Sequence, residues 1–364
     1  MTVNLAALAS NYRYLSARST HRCAGVVKAN AYGLGIEPIV ATLLAEGCRD
    51  VFVATLPEAL KVRQLFSDLR IIMLSGLVDA AAAQAAFDAN IEPVINSAEQ
   101  AQLWAPFAER PITLHVDTGM QRLGFPFHEL MAVNKLMAVD WSPYNLATLM
   151  THLACADVPD HPMNALQLER FQQVAKQFPG VSTSIANSAG CLLPVSWHGD
   201  LTRPGIGLYG GHPQNRVPEN PLEPVVHLEG QVVARRTVSE GTPVGYGGAF
   251  VASRTTDIAV VGLGYADGLP RSLSNKGEVS WRGTRLPIIG RVSMDLTHID
   301  VTDLEQASSP APAPGDWVQF LGGDIGVDEV AQWADTIGLE ILCGLGRRPQ
   351  WHYRGKGDAG ELSQ

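Results

Sequence analysis

Short apolar runs punctuate the first 210 residues at 24–27, 51–54, 70–74, 92–95, 112–116, 146–150, 183–186 and 205–210, most of them separated by stretches with helical spacing of apolar positions. Runs this short, bounded by turn residues, read as buried strands, and their alternation with helices predicts an α/β fold around a parallel sheet. A (β/α)8 barrel and an open doubly wound sheet both give this pattern. The polar residues discriminate: Lys28 follows the first run, Asp117 the fifth, His152 the sixth and Asn187 the seventh. In a barrel such positions converge on one face, at the C-terminal strand ends where active sites are built. Ahead of the first run, Leu5, Leu8, Tyr12 and Leu15 fall on one face and predict an amphipathic opening helix.

Beyond about residue 221 the texture changes. Segments such as "EPVVHLEGQVVARRTV", "TTDIAVVGLG", "TRLPIIGRVSMDLTHIDV" and "DWVQFLGG" are β-rich and separated by Gly, Pro and Ser clusters. The expectation is a barrel domain over 1–221 and a mainly-β domain over 222–364. One helix is predicted over 327–345, beginning close to Asp328 and followed by an extended tail, and the proline-rich 308–316 stretch reads as an exposed loop.

Composition narrows the class. A chain of 364 residues with 46% hydrophobic and 17% charged residues can bury a full core. A net charge of −9 without a long basic run points away from nucleic acid and anionic membrane surfaces as partners. Five scattered cysteines, Cys23, Cys48, Cys155, Cys191 and Cys343, never in C-x-x-C spacing, read as reduced, mostly packed thiols. With no basic segment before the first apolar patch and no stretch approaching the ~20 apolar residues of a membrane span, the chain reads as cytoplasmic.

The chemistry starts at "AGVVKANAYGLG" (24–35), where an apolar run ends on Lys28 and passes into a Gly-containing turn. Most lysines are solvated surface charges, but one at the buried end of a strand is partly desolvated, which frees its amine to attack a carbonyl and hold an aldehyde cofactor covalently. Taken singly, the other candidates have plain alternatives: His152 as a packed histidine, Asn187 as a helix cap, Asp117 as a turn former.

The segment "VVKANAYGLG" resembles the pyridoxal phosphate lysine motif of the alanine racemase family. The resemblance continues in family order through "VDTGMQRLGF" (116–125), "THLACAD" (151–157), "ANSAG" (186–190), "RPGIGLYG" (203–210), "VGYGGAF" (244–250), "GLGYADGLPR" (262–271) and "GRVSMD" (290–295). It implies an N-terminal (β/α)8 TIM-type barrel, guides the count of eight strands, and implies a mainly-β domain after it. It also implies pyridoxal 5'-phosphate as cofactor, a small amino acid as substrate, and a homodimer with shared active sites. Relative to the family, the chain lacks most of a short strand that usually precedes the opening helix.

By the same resemblance, Lys28 and Tyr246 are the two bases that exchange the α-proton on opposite faces of alanine, Tyr246 coming from the other subunit. A tyrosine has a reference pKa of about 10, so its neighbours must favour the phenolate for it to act near neutrality. Arg203 faces the pyridine nitrogen with His152 as its hydrogen-bonded supporter, and a permanently charged arginine there restrains the carbanion from side reactions. Gly205, Ile206, Ser188 and Tyr32 cradle the phosphate, with Asn187 also at the cofactor. Arg122 approaches the cofactor phenolic oxygen and the substrate carboxylate, which Met294 meets from the second subunit. Asp157, Tyr265, Arg271 and Arg291 line a narrow access corridor; individually, Asp157 and Arg271 read equally as interface polarity.

Three positions depart from the family pattern. His115 stands where many members carry a carbamylated lysine, Leu34 where a histidine is common, and the tail "CGLGRRPQWHYR" offers no assignable phosphate-binding tyrosine. A neutral histidine cannot supply the charge of a carbamate. The readings kept open beside an alanine racemase are a racemase of broader amino acid range and a non-catalytic pyridoxal phosphate binding protein; a decarboxylase or aldolase would not require the Arg203 and Tyr246 pair.

Overall fold

The structure, a computed structural model, describes residues 1–131, 139–214, 220–306, 310–346, 348–355 and 362–363. The chain divides into two compact units, Leu8–Leu208 with His212–Leu222, and Met1–Ala7 with Tyr209–Gly211 and Glu223–Gln364. A single cut after residue 221 therefore does not describe the division. Thr2–Asn4 forms a strand before the opening helix Leu5–Ala17, and it pairs with Val226–Val238 on one side and His352–Arg354 on the other.

The wall of the first unit has eight parallel strands: Arg22–Cys23 continued by Gly25–Val26, then Asp50–Val53, Arg70–Met73, Glu92–Ile95, Pro111–Asp117, Asn145–Met150, Ser182–Ser184 and Leu201–Thr202. The ring closes at its last strand. Ala24 and Val26 donate their N–H groups to the carbonyls of Thr202 (2.9 Å) and Pro204 (3.0 Å), and the Arg203 N–H donates to Ala186 O (2.8 Å) across a parallel Asn187–Arg203 bridge. The interior is filled by near-continuous apolar strand residues, including Phe52, Ile72, Val94, Leu114 and Leu149, all fully buried, as expected of a parallel sheet covered on both faces.

The eighth strand is not the 205–210 run that the sequence suggested. Pro204 has no N–H to give a ladder, and the N–H groups of Gly205 and Gly207 both go to Ser188 Oγ, at 2.7 and 3.1 Å. The run winds into a 3₁₀ turn over Ile206–Tyr209, and Leu201–Thr202 completes the wall.

In the second unit six antiparallel strands also close on themselves. Val226–Val238 pairs with both Trp317–Leu321 and Thr256–Val261, and the path between those two runs through Glu278–Trp281, Thr284–Ile289 and Thr297–Asp300. The alternating burial along Val226–Gln231 is the period-2 pattern of a strand with one face in the core. The helix predicted over 327–345 is two helices, Val327–Ala334 and Gly338–Gly344, separated where Asp335 turns left-handed (φ 58°). Residues 308–309 of the predicted proline-rich loop and Arg347 of the tail lie outside the described residues. Among the described residues no helix is long and apolar enough to cross a membrane.

Asp50, Arg70 and Glu92 are each the first residue of their strand, so their side chains meet at the end of the barrel away from Lys28. Arg70 forks onto Glu92 (2.7 and 2.8 Å), reaches Asp50 (3.2 Å) and donates to Thr148 Oγ1 (2.9 Å), while Thr113 donates to Glu92 (2.6 Å). Asp50 and Glu92 are almost fully buried, at 2% and 3% exposure. Removing the cation leaves buried Glu92 without its ion-pair partner while Asp50 keeps Arg22 at 3.0 Å, and breaking a buried pair from one side costs about 3–5 kcal/mol. The expected outcome for Arg70→Met is a large fall in melting temperature with retained cofactor absorbance at the opposite end, checked by calorimetry and visible spectroscopy.

Candidate functional site

Lys28 lies half-buried just past the first strand, and the backbone after it does something that composition does not announce. Ala29, Asn30, Ala31 and Tyr32 all have positive φ, between 53° and 57°. A left-handed turn of L-residues costs roughly 1–2 kcal/mol per residue, so this one must be held from outside. Ala31 N–H donates to Val27 O (2.9 Å), Gly33 N–H to Ala29 O (2.7 Å) and Gly35 N–H to Asn30 O (3.0 Å). Asn30 Oδ1 accepts from Ile36 N–H at 3.2 Å, and Glu58 Oε1 accepts from Ala29 N–H at 2.8 Å. Gly33 and Gly35, with φ of 85° and 93°, provide the way out of the turn.

The turn delivers Tyr32 to Gly205, just past the eighth strand. Its hydroxyl lies so close to Gly205 that a Cβ there would collide with it, and Gly205 N–H points at Ser188 Oγ, 2.7 Å away. The hydroxyls of Tyr32 and Ser188 thus gather where the last strand ends, with Gly205 N–H seating the Ser188 oxygen, and two hydroxyl donors suit an anion. Asn187 spends its Oδ1 on Gly190 N–H (2.9 Å) and its amide on Leu153 O (3.2 Å), so it caps the turn that presents Ser188.

Arg203 is 4% exposed. Its guanidinium donates to Thr151 O (2.6 Å), Ile185 O (3.4 Å) and the Ser184 hydroxyl, which in turn donates to Leu201 O. Where the sequence pointed to His152 as its support, the fork rests on Ser184 and strand-end carbonyls. Ser184 was missed because it stands within its strand, where a serine gives no signal. Burial lowers the Arg203 pKa to about 10, still above neutrality. Burial first, then the charges of Arg203, Arg122 and Lys28, drive His152 well below its ordinary value, so it carries a neutral ring in a cationic site.

Asp117 behaves as a turn former. Its carboxylate accepts from Gly119 N–H (2.8 Å) and Arg122 N–H (3.2 Å), shaping the loop that carries Arg122. His115 faces the same small cavity as Arg122 and His152. Asn96 uses its NH2 on Leu74 O and Val94 O, both at 3.2 Å, so its oxygen must accept from His115 Nδ1 at 2.8 Å, leaving Nε2 as a lone-pair acceptor. Burial, reinforced by Arg203, pushes the His115 pKa down to about 3. Asp157 lies half-buried in the loop after the sixth strand.

The second unit groups the remaining candidates. Tyr246, 70% exposed, tops the short hairpin Pro243–Val244/Phe250–Val251, with the Arg291 guanidinium beside Gly247. Asn275 ties the two segments, donating to Ala249 O (2.9 Å) and accepting from Gly290 N–H (2.6 Å). Gly264 packs so tightly on the carbonyls of Ser293 and Met294 that no side chain fits, and Tyr265 and Ala266 N–H groups bond those carbonyls at 2.9 and 3.0 Å. Arg348, unmarked in the sequence, clamps these two segments by donating to Asp267 (2.6 Å) and to Asp295. Arg271 opens the neighbouring 3₁₀ turn, and its carbonyl accepts from Ser274 Oγ (2.6 Å).

A closed parallel barrel with a lysine at the mouth of its first strand, in a chain that goes on to an antiparallel β unit, defines a two-domain α/β-barrel protein. The chain belongs to the alanine racemase family: the family's N-terminal domain matches residues 3–213 and its C-terminal domain residues 225–353. It is 44% identical to the alanine racemase of Rhodospirillum rubrum, over 98% of this chain and 96% of that one, and 43% identical to the biosynthetic alanine racemase of Agrobacterium fabrum, over 97% and 93%. The crystal structure of the Bartonella henselae alanine racemase with covalently bound pyridoxal phosphate superposes with a TM-score of 0.89 at 36% identity, covering 97% of this chain and 98% of that one.

The buried histidine has a pH signature. The folded pKa of His115, about 3, lies below the ordinary 6.5, so the unfolded chain takes up protons first as pH falls. Its neutral form is fully accommodated above pH 6.5, and stability drains away between 6.5 and about 3. His115→Gln is expected to flatten the melting temperature against pH over this window, measured by calorimetry.

Proposed function

We propose that this protein interconverts L- and D-alanine with pyridoxal phosphate held on Lys28. The observation that carries the reading is the convergence of Lys28, Tyr32, Ser188, Gly205 and Arg203 at one end of the barrel in a chain of this family. The donor set fits the cofactor. Tyr32, Ser188 and the Ile206 amide would hold its phosphate with Gly205 N–H seating the Ser188 hydroxyl, Arg203 would meet its ring nitrogen, Asn187 would shape the cradle, and Arg122 would reach its phenolic oxygen. When bound, pyridoxal phosphate supplies an electron sink for the charge left on the substrate Cα.

The chain's own residues do the rest. Lys28 Nζ takes or returns the α-proton on one face and Tyr246 Oη does so on the other, a pair of general bases that makes the exchange reversible in stereochemistry. The Arg291 guanidinium lies beside Gly247, next to Tyr246 in the same turn. Arg203, still charged at neutral pH, has no proton to spare for the ring nitrogen, which limits diversion of the carbanion. Arg122 and the Met294 backbone orient the substrate carboxylate, and Asp157, Tyr265, Arg271 and Arg291 restrict access to small amino acids.

Tyr246, Val251, Tyr265 and Met294 are 70%, 56%, 43% and 52% exposed, an unusual amount of large apolar surface around one set of loops. A second copy of the chain covering it, with each site drawing Lys28 from one protomer and Tyr246 from the other, accounts for that exposure. Polarimetry of the cofactor-loaded protein should show rapid loss of rotation with L-alanine and little with L-lysine; similar rates on both would mean a broad-range racemase, and no change a binding protein. Lys28→Ala should lose the visible absorbance of lysine-bound cofactor, and Tyr246→Phe should keep it while racemisation collapses. Mixing the two inactive variants under subunit exchange should restore about a quarter of the wild-type rate, since half the dimers are hybrids with one intact site. Sites built within single protomers would recover nothing.

A further inference from the structure

We propose that Glu58 is a positioning residue for Lys28, resting on the reading that Lys28 holds the cofactor. Glu58 belongs to the helix Leu56–Leu65 that follows the second strand, and its carboxylate is shared between two jobs. One oxygen accepts from Ala54 N–H (2.7 Å) and Thr55 N–H (3.4 Å) at the start of its own helix. The other accepts at 2.8 Å from the N–H of Ala29, the residue next to Lys28.

That N–H is a special one. In any helical turn, left-handed or right-handed, the first N–H groups have no carbonyl behind them to bond within the turn. Ala31 and Gly33 find carbonyls at Val27 and Ala29. Ala29, the first of the four left-handed residues, takes Glu58 as its partner from a separate element. The second strand also receives Val27 N–H at Phe52 O, 2.9 Å away. Lys28 is therefore fixed on both sides to the second strand and its helix, by a carbonyl before it and a carboxylate after it. The direction in which its side chain leaves the strand end, and the place where Tyr32 arrives four residues later, both follow from the turn that Glu58 anchors. A carboxylate suits this task because its two oxygens serve both sides, which one amide oxygen cannot do.

The alternative is that Glu58 only caps its helix, and Asp79 provides the control. Asp79 caps Ala80–Asp88 by accepting from Ala82 N–H at 2.7 Å. Glu58→Ala and Asp79→Ala should lower the melting temperature comparably. Only Glu58→Ala should speed hydrogen exchange at the Ala29 amide and weaken retention of pyridoxal phosphate, read as visible absorbance after gel filtration, by about tenfold or more, as expected for loss of a bond to a charged acceptor. Glu58→Gln, which keeps one acceptor oxygen, should fall between, and carries the comparison if Glu58→Ala does not fold. Retention and Ala29 exchange in the Glu58 variants equal to those of Asp79→Ala would overturn the proposal, as would faster exchange with unchanged retention. Wild-type protein that shows no lysine-bound absorbance would overturn the cofactor reading itself, which this control separates from failure of the Glu58 assignment.

Discussion

Closure of the parallel barrel is the constraint on which the rest of the first unit depends, and it is made by the same segments that form the site. The seventh and eighth strands are too short to share a long ladder, so the seam is carried by the Ser184–Gly199 and Asn187–Arg203 bridges, with Asp200 N–H bonded to Thr183 O and Arg203 N–H to Ala186 O. Without that seam two strand edges would be exposed, and the strand ends that carry Lys28 and Arg203 would have no reason to face one another. The position whose backbone closes the ring is also the one whose buried guanidinium sets the field inside it. Stability and chemistry meet at this point, whereas elsewhere in the barrel they are kept apart.

Their separation elsewhere is electrostatic. At the strand starts, Arg22 and Arg70 meet Asp50 and Glu92 in a closed set of ion pairs. At the strand ends, Lys28, Arg122 and Arg203 act together on His152, and the Asp117 carboxylate is spent on backbone N–H groups. Such an excess of positive charge in a partly dry site is unfavourable for the protein alone. It becomes an advantage once anionic groups occupy the mouth, and neutral His152 and His115 keep the excess from growing further.

The fold was legible in the sequence because strands of a parallel barrel are short, apolar and regularly spaced. Residues that follow them, such as Lys28 and Asn187, inherit a place on one face from that spacing alone. What escaped were features settled by distant contacts. Whether 201–202 or 205–210 completes the wall depends on Ser188 taking two glycine N–H groups, and the break at Asp335 depends on a single left-handed residue. The turn after Lys28 contains only Ala, Asn, Ala and Tyr, none of which demands positive φ, so its handedness is invisible until Glu58 and the strand beside it are in place. Ser184, Asn275 and Arg348 are ordinary residue types in ordinary contexts; only their partners make them structural supports.

The Thr2–Asn4 strand carries a consequence for the order in which the molecule is made. It sits between Val226–Val238 and His352–Arg354, so a segment that precedes the barrel waits for two that follow it before its ladder is complete. All eight barrel strands, by contrast, lie between residues 22 and 202 and can pair as soon as they emerge. On the ribosome the barrel strands are thus able to pair while Thr2–Asn4 still lacks both of its partner strands.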